Sequence, residues 1–257
     1  MSKKVFITGA SRGIGRGIAL KLASLGYDVA FTYHTEFEDA ESLKKEIEAC
    51  GMRGFYYQAN LQEPDVPTQV TEQAIKDLGG LDVLVCNAGK ARFTTIQTLD
   101  PQVMEFMYEL NYRSYVLASK IAANYMVKHH IPGRIIFISS SRGERAYRND
   151  AIYGSLKAAL NRMVQSLAIE LGEHGITVNS VAPGATAVRN DYSMDALKNG
   201  FASHLIPLKR MGKPDDIAGI VSYLVSDEAS YITGVTIRVD GGLILYGPNE
   251  DPDGGLF

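Results

Sequence analysis

Val5-Phe6-Ile7-Thr8-Gly9-Ala10-Ser11-Arg12-Gly13-Ile14-Gly15 joins a short apolar run to a glycine-rich turn, and the turn opens into a helix-patterned stretch carrying Ile18, Ala19, Leu22 and Leu25. The order predicted is strand, glycine loop, helix. Working outward, similar β-branched or aromatic runs recur at residues 4–8, 28–33, 54–59, 81–86, 134–139, 175–181 and 234–239, with longer helix-patterned stretches between them. Val83-Leu84-Val85 and Ile135-Ile136-Phe137-Ile138 are apolar throughout instead of alternating. Strands of that kind are covered on both faces.

Strands alternating with helices imply an α/β fold: one Rossmann-type, doubly wound domain with a seven-stranded parallel sheet flanked by helices on both faces. Repeats, low-complexity stretches and a Pro/Gly linker are not visible, so residues 1–257 read as one domain. At 46% apolar residues the chain can build a substantial core. Its 26 basic and 29 acidic residues leave a formal charge of -3, and no basic run points to nucleic acid. Cys50 and Cys86 suggest no disulfide framework, and Cys86, in an apolar run, reads as a buried thiol. No export signal and no membrane-length apolar stretch are seen, so a cytoplasmic location is expected. No metal cluster is read from the sequence.

The glycine loop has a chemical reading. A pyrophosphate needs main-chain N–H donors and the positive end of a helix, and glycine lets the backbone approach without a Cβ in the way. Gly9, Ser11, Arg12, Gly13, Ile14 and Gly15 are the candidates. At the end of the second strand stand Tyr33, His34 and Thr35, where an acid that grips a ribose hydroxyl is usual for NAD. Glu36 arrives slightly late, and Arg12 offers a cation for a 2'-phosphate. NADP(H) is therefore the expected cofactor, with NAD(H) possible.

Further along come Asn87-Ala88-Gly89, Ser139-Ser140 and Tyr153-Gly154-Ser155-Leu156-Lys157. Tyrosine and lysine four apart share a helical face, but chance alone supplies roughly 0.7 such pairs. The ordered set carries more weight. With Asn111, Ser140 thirteen positions before Tyr153, Val178-Asn179-Ser180-Val181-Ala182-Pro183-Gly184 and Gly234 to Gly242, it resembles the short-chain dehydrogenase/reductase family, in the branch of glucose dehydrogenase and 3-oxoacyl reductase.

The resemblance implies a carbonyl/alcohol oxidoreductase with a tetrad of Asn111, Ser140, Tyr153 and Lys157. It implies that Tyr153 exchanges the proton, that Lys157 holds the nicotinamide ribose, that Ser140 donates to the substrate oxygen and that Asn111 positions a relaying water. A phenol near its usual pKa of ~10 donates well but is a poor base, and Lys157 is expected to supply a permanent cation that lowers it. Ser139 is the rival to Ser140, and a kink in the long helix around 102–128 is the structural alternative for Asn111.

By the same resemblance Asn60 and Leu61 meet the adenine, Asn60 standing where an aspartate is common, and Pro183 and Gly184 lie beside the nicotinamide carboxamide. Val188 replaces a common threonine, which leaves Thr186 as the substitute.

The substrate is set by loops at 90–96, 141–149 and a lid around 185–208. The middle loop is polar, which favours a small polar substrate such as a sugar, polyol or keto compound. A 3-oxoacyl-[acyl-carrier-protein] substrate is the alternative, docked on Arg142, Arg145 and Arg148; equally, these arginines could be solvated or paired with Glu144 and Asp150. A dinucleotide-binding sensor without catalysis is the reading from another class, opposed by the complete tetrad. The wide apolar stripe of the helix from Ala151 to Leu171 implies a homo-oligomer, a tetramer or dimer. The tail from Leu243 to Phe257 is expected to be non-helical and to fold across a neighbour's entrance.

Overall fold

Residues two apart on a strand share a face, and here the two faces feed two separate cores. The computed structural model describes residues 2–188 and 192–245; beyond Leu245 the tail lies outside the described residues. Strands β1 (Lys3–Ile7), β2 (Tyr27–Tyr33), β3 (Gly54–Gln58), β4 (Val83–Cys86), β5 (Arg134–Ile138), β6 (Thr177–Pro183) and β7 (Thr236–Val239) form one parallel sheet in the order β3-β2-β1-β4-β5-β6-β7. Val5, Ile7, Phe31, Val85 and Ile136 face helices α1 (Gly13–Ser24), α2 (Phe37–Ala49) and α8 (Pro214–Leu224). Phe6, Leu84, Cys86, Ile135 and Phe137 face α3 (Val66–Leu78), α5 (Ser114–Lys128) and α6 (Ala151–Gly172). Two covered faces explain the unbroken apolar runs.

The expected strands are present, with small shifts at their ends. The fourth starts at Val83 instead of residue 81, because the Asp82 carboxylate accepts the Lys4 N–H at 2.7 Å and holds that position by a side chain. The sixth starts at Thr177, after Gly175 in a left-handed turn, and runs on to Pro183, which pairs with Val239.

The helix expected around 102–128 is interrupted. It comprises α4 (Pro101–Tyr108), a π-helical turn at Glu109–Arg113, and α5. Asn111 sits in that turn, and its Nδ2 donates to the Met107 carbonyl at 3.0 Å, so the asparagine inserts into the helical ladder. The segment 192–208, which shows no clean periodicity, folds as a short helix α7 (Met194–Lys198) and a single 3₁₀ turn over a small core of Leu197, Ala202, Ile206 and Met211.

Strand order reverses between β1 and β4. Their outgoing loops leave in opposite directions, and a crevice opens at the carboxyl edge of the sheet. The packing beneath it is testable at Phe137, which is fully buried and meets Tyr115 edge-on at 5.6 Å. Phe137→Ala should cost about 3–5 kcal/mol in urea unfolding; a loss below about 1 kcal/mol would mean that this side of the sheet is not close-packed.

Candidate active site

The crevice holds a cavity of about 490 Å³. Its floor is the glycine loop. Gly9 has φ +67°, and a Cβ there would lie 2.9 Å from Ala88 Cα; a Cβ on Gly15 would lie 2.5 Å from the Gly9 carbonyl and 2.6 Å from Asn87 Nδ2. Larger residues would push the loop off the sheet. Asn87 holds it down, its Nδ2 donating to the carbonyls of Thr8 (3.1 Å) and Gly9 (2.7 Å), while the Asn87 and Ala88 N–H groups donate back to Thr8 Oγ1. The Gly9 N–H donates to Thr32 Oγ1 at 2.8 Å. Three strand ends are thus tied at one point.

Gly9, Ser11, Arg12, Gly13 and Ile14 line the cavity, as do Tyr33, His34, Thr35, Asn60 and Leu61 at one end and Asn87, Ala88 and Gly89 in the middle. Ser140, Tyr153, Lys157, Pro183, Gly184 and Thr186 line the other end. Two expected residues act from behind the wall. Gly15 lies under the loop, and Asn111 is fully buried. Thr32, Glu36, Gln62, Leu110, Ser139 and Val188 line the cavity as well and were not assigned from the sequence. Thr32 reads as an ordinary strand residue, and Val188 reaches the loop only because the chain after β6 folds back to Gly13.

Glu36 changes the picture at the first end. Its carboxylate pairs with Arg12 at 3.0 Å. Burial raises this carboxyl, but the main-chain N–H of Glu36, the Arg12 guanidinium and Thr35 outweigh burial and hold it below the usual range. The residue that comes late in sequence therefore sits in the wall, and Arg12 already has an anion beside it.

At the second end, α6 brings Tyr153 and Lys157 to one side of the crevice. Lys157 is 2% exposed, and its Nζ donates to the Ile138 carbonyl at 2.9 Å. It lies 5.6 Å from the centre of the Tyr153 ring and 5.1 Å from that of Tyr115. Burial pulls its pKa down to about 7, opposed weakly by Cys86. Burial and the Asp150 carboxylate push Tyr153 up to about 12, against the Ser140 hydrogen bond and Arg142.

Burial here disfavours the charged form of both groups, raising the phenol and lowering the lysine. Ser140, extended at the end of β5, accepts from the Arg142 N–H at 3.2 Å and bonds Tyr153; Ser139 instead turns its Oγ towards the Lys157 carbonyl, at 3.4 Å.

Asn111 Oδ1 accepts the Lys90 N–H at 3.1 Å and its Nδ2 donates to the Lys90 carbonyl at 3.1 Å. A Cβ on Gly89 would lie 2.7 Å from Asn111 Oδ1 and 3.7 Å from Lys157 Nζ, so the amide and the ammonium flank the same point of the chain. Of the loop arginines, Arg142 pairs with the buried Asp150 at 3.0 Å, and Glu144 is taken by Arg238 at 2.7 Å. Cys86 is buried and its thiol pushed up to about 12 by desolvation. Among the described residues no helix is long and apolar enough to cross a membrane.

Glycine loop, strand-end crevice and Ser–Tyr–Lys wall meet a decisive similarity. A family model described as Enoyl-(Acyl carrier protein) reductase matches residues 9–244. The chain belongs to the short-chain dehydrogenase/reductase family. It is an oxidoreductase of that family, acting on carbonyl and alcohol groups. It is 39% identical over 246 residues to a 3-oxoacyl-[acyl-carrier-protein] reductase of Staphylococcus aureus, covering 95% of this chain and 99% of the relative. It is 35% identical to an L-rhamnose 1-dehydrogenase (NAD(P)(+)) of a Sphingomonas species, over 95% and 96% of the two chains. A blue fluorescent protein from a metagenomic library, solved in complex with NADPH, superposes with a TM-score of 0.86 at 36% identity, over 94% of this chain and 98% of that one.

The cradle that a Cβ would fill, at the start of a helix and the end of a strand, fits the pyrophosphate of a dinucleotide. Gly15→Ala should therefore weaken NADPH binding at least about tenfold in a fluorescence titration while leaving the far-ultraviolet spectrum unchanged. Equal affinity in variant and parent would remove the loop from the binding site.

Proposed function

We propose that this short-chain dehydrogenase/reductase is an NADP(H)-preferring enzyme that interconverts a carbonyl and a secondary alcohol on a small polar substrate such as a sugar, polyol or keto compound. The observation that carries the reading is the convergence of Ser140, Tyr153 and Lys157 on the cavity wall opposite the glycine loop. When bound, the nicotinamide supplies or accepts the hydride.

The residues do the rest. Tyr153, protonated across the physiological range, donates its hydroxyl proton to the oxygen that gains charge during reduction. Ser140 hydrogen-bonds the same oxygen and holds the phenol in place. Lys157 binds ribose hydroxyls, and the positive charge it carries when protonated makes the phenolate less costly. Asn111 holds the Lys90 segment against Lys157 and positions the water that refills the proton. In the oxidising direction Tyr153 must first lose its proton, so the rate should climb with pH through the working range.

NADP(H) preference rests on the absence of a carboxylate at Tyr33, His34 and Thr35 and on Arg12 at the cavity edge. Glu36 tempers it, and NAD(H) remains usable. A polar substrate is supported by the polar loop 141–149 and by the sugar-oxidising relative. The 3-oxoacyl-[acyl-carrier-protein] alternative is favoured by the 39% identical reductase and by Arg145 and Arg148, which keep clear of the two loop carboxylates.

The chain acts as one catalytic domain, cytoplasmic, with the segment 185–208, of which 189–191 lie outside the described residues, as substrate lid, in a homo-oligomer that is a tetramer or dimer. Leu156, Met163 and Leu167 on α6 stay half-buried, which supports a second subunit there.

Tyr153→Phe should cut kcat by about 10²–10⁴ with NADPH binding unchanged; turnover at the parental rate on diketones would dismiss the phenol as proton donor. Arg12→Ala should raise the KM for NADPH much more than that for NADH. Equal effects on both would end the argument for NADP.

A further inference from the structure

Arg142 is a partly exposed cation packed beside the phenol of Tyr153, and its partner Asp150 is buried. Its guanidinium lies between two aromatic rings, 4.5 Å from the centre of Phe93 and 4.4 Å from that of Tyr147, and its NH1 bonds Asp150 Oδ2 at 3.0 Å. The Asp150 side chain is 2% exposed. Phe93 in turn meets the Tyr153 ring edge-on at 6.3 Å and 85°. The Arg142 N–H donates to Ser140 Oγ, and the Asp150 carbonyl accepts the Gly154 N–H at 3.0 Å in the first turn of α6. The ion pair thus ties the turn after Ser140 to the residue that opens α6 and packs on Phe93, the ring against Tyr153, while the main chains of the same two residues bond Ser140 Oγ and the first turn of α6.

We propose that Arg142 and Asp150 are positioning residues for the reaction: their ion pair fixes the Ser140 and Tyr153 hydroxyls relative to one another, and their opposite charges set how readily Tyr153 gives up its proton. The inference rests on the proposed role of Tyr153 and adds two residues to it. A buried carboxylate kept for stability alone is normally fully hydrogen-bonded. Asp150 Oδ1, by contrast, is buried without a hydrogen-bond partner among the described residues. The carboxylate is therefore only partly satisfied by Arg142, and its remaining charge acts on its surroundings.

The ionisable groups around Tyr153 are Asp150 and Arg142 from the loop after β5, Lys157 from its own helix and Tyr115 from α5. Asp150 disfavours the phenolate and Arg142 favours it. Asp150→Asn should therefore make the phenol more acidic and Arg142→Met less so.

The test uses the full chain with NADP+ and 3-hydroxybutan-2-one, following kcat and KM against pH. An ultraviolet difference titration of the tyrosinate band in the NADP+ complex, with the Tyr153→Phe version of each variant subtracted, reads the same proton without turnover. Asp150→Asn should move the Tyr153 ionisation down and Arg142→Met should move it up, each by about half a unit or more. The double variant Arg142→Met/Asp150→Asn should return close to the parent in ionisation yet stay at least about tenfold lower in kcat, because the geometry is gone. NADPH affinity should stay within about twofold throughout, which also reports that each variant is folded.

Arg142→Lys, which keeps the charge and loses the planar stack, should keep the ionisation and lose kcat. Shifts in the same direction for both single variants, or no shift with parental kcat, would overturn the proposal. If Tyr153→Phe itself is as active as the parent, the fault lies with the reading of Tyr153; if it is inactive and the two charge variants are silent, only the positioning role fails.

Discussion

Lys157 is almost wholly buried in the wall of the cavity, bonded to the Ile138 main-chain carbonyl, and the rest of the site is arranged around that burial. An ammonium taken out of water without a carboxylate partner loses much of its preference for the charged form. The same dryness holds Tyr153 protonated. The protein therefore presents a phenol ready to donate and a lysine near the point of titration, and the charge state of the pair is left open to whatever binds between the glycine loop and α6. A cofactor that brings ribose hydroxyls and changes its ring charge between oxidised and reduced forms is the ligand such a wall suits.

The fold makes that burial possible. Both faces of the sheet are covered, so the strand ends that carry Asn87, Ser140 and Pro183 are held by the packing beneath them, and the reversal of strand order between β1 and β4 opens the crevice at those ends. Asn87 and Thr8 bind the two sides of that opening together through main-chain carbonyls and N–H groups. The π-turn at Asn111 belongs to the same construction: a local break in a long helix aims the amide at the Lys90 segment, next to the buried ammonium.

How much of this was legible follows from range. The strands, the glycine loop and the Tyr153–Lys157 face are local patterns of period two or four, and they read directly. Asn111 was open to two readings, helix kink or functional amide, and the structure gives it both the kink and a place beside Lys157. The Arg12–Glu36 pair was not visible, because it depends on side chains 24 positions apart meeting across two strand ends. Arg142 was equally open: solvated, docking or paired were indistinguishable until Asp150 was seen to be buried under it. The burial of Lys157 was not legible for the same reason, since it is a property of the whole wall and not of the Tyr-x-x-x-Lys spacing.

The most direct test of the account is a crystal structure of the chain with NADPH. The account places the pyrophosphate on the N–H groups of Ser11 to Ile14, the nicotinamide beside Pro183-Gly184, and the ribose hydroxyls within hydrogen-bond reach of Lys157 Nζ. A dinucleotide bound elsewhere, or one bound in the crevice with the Tyr153 hydroxyl turned away from the nicotinamide, would contradict it.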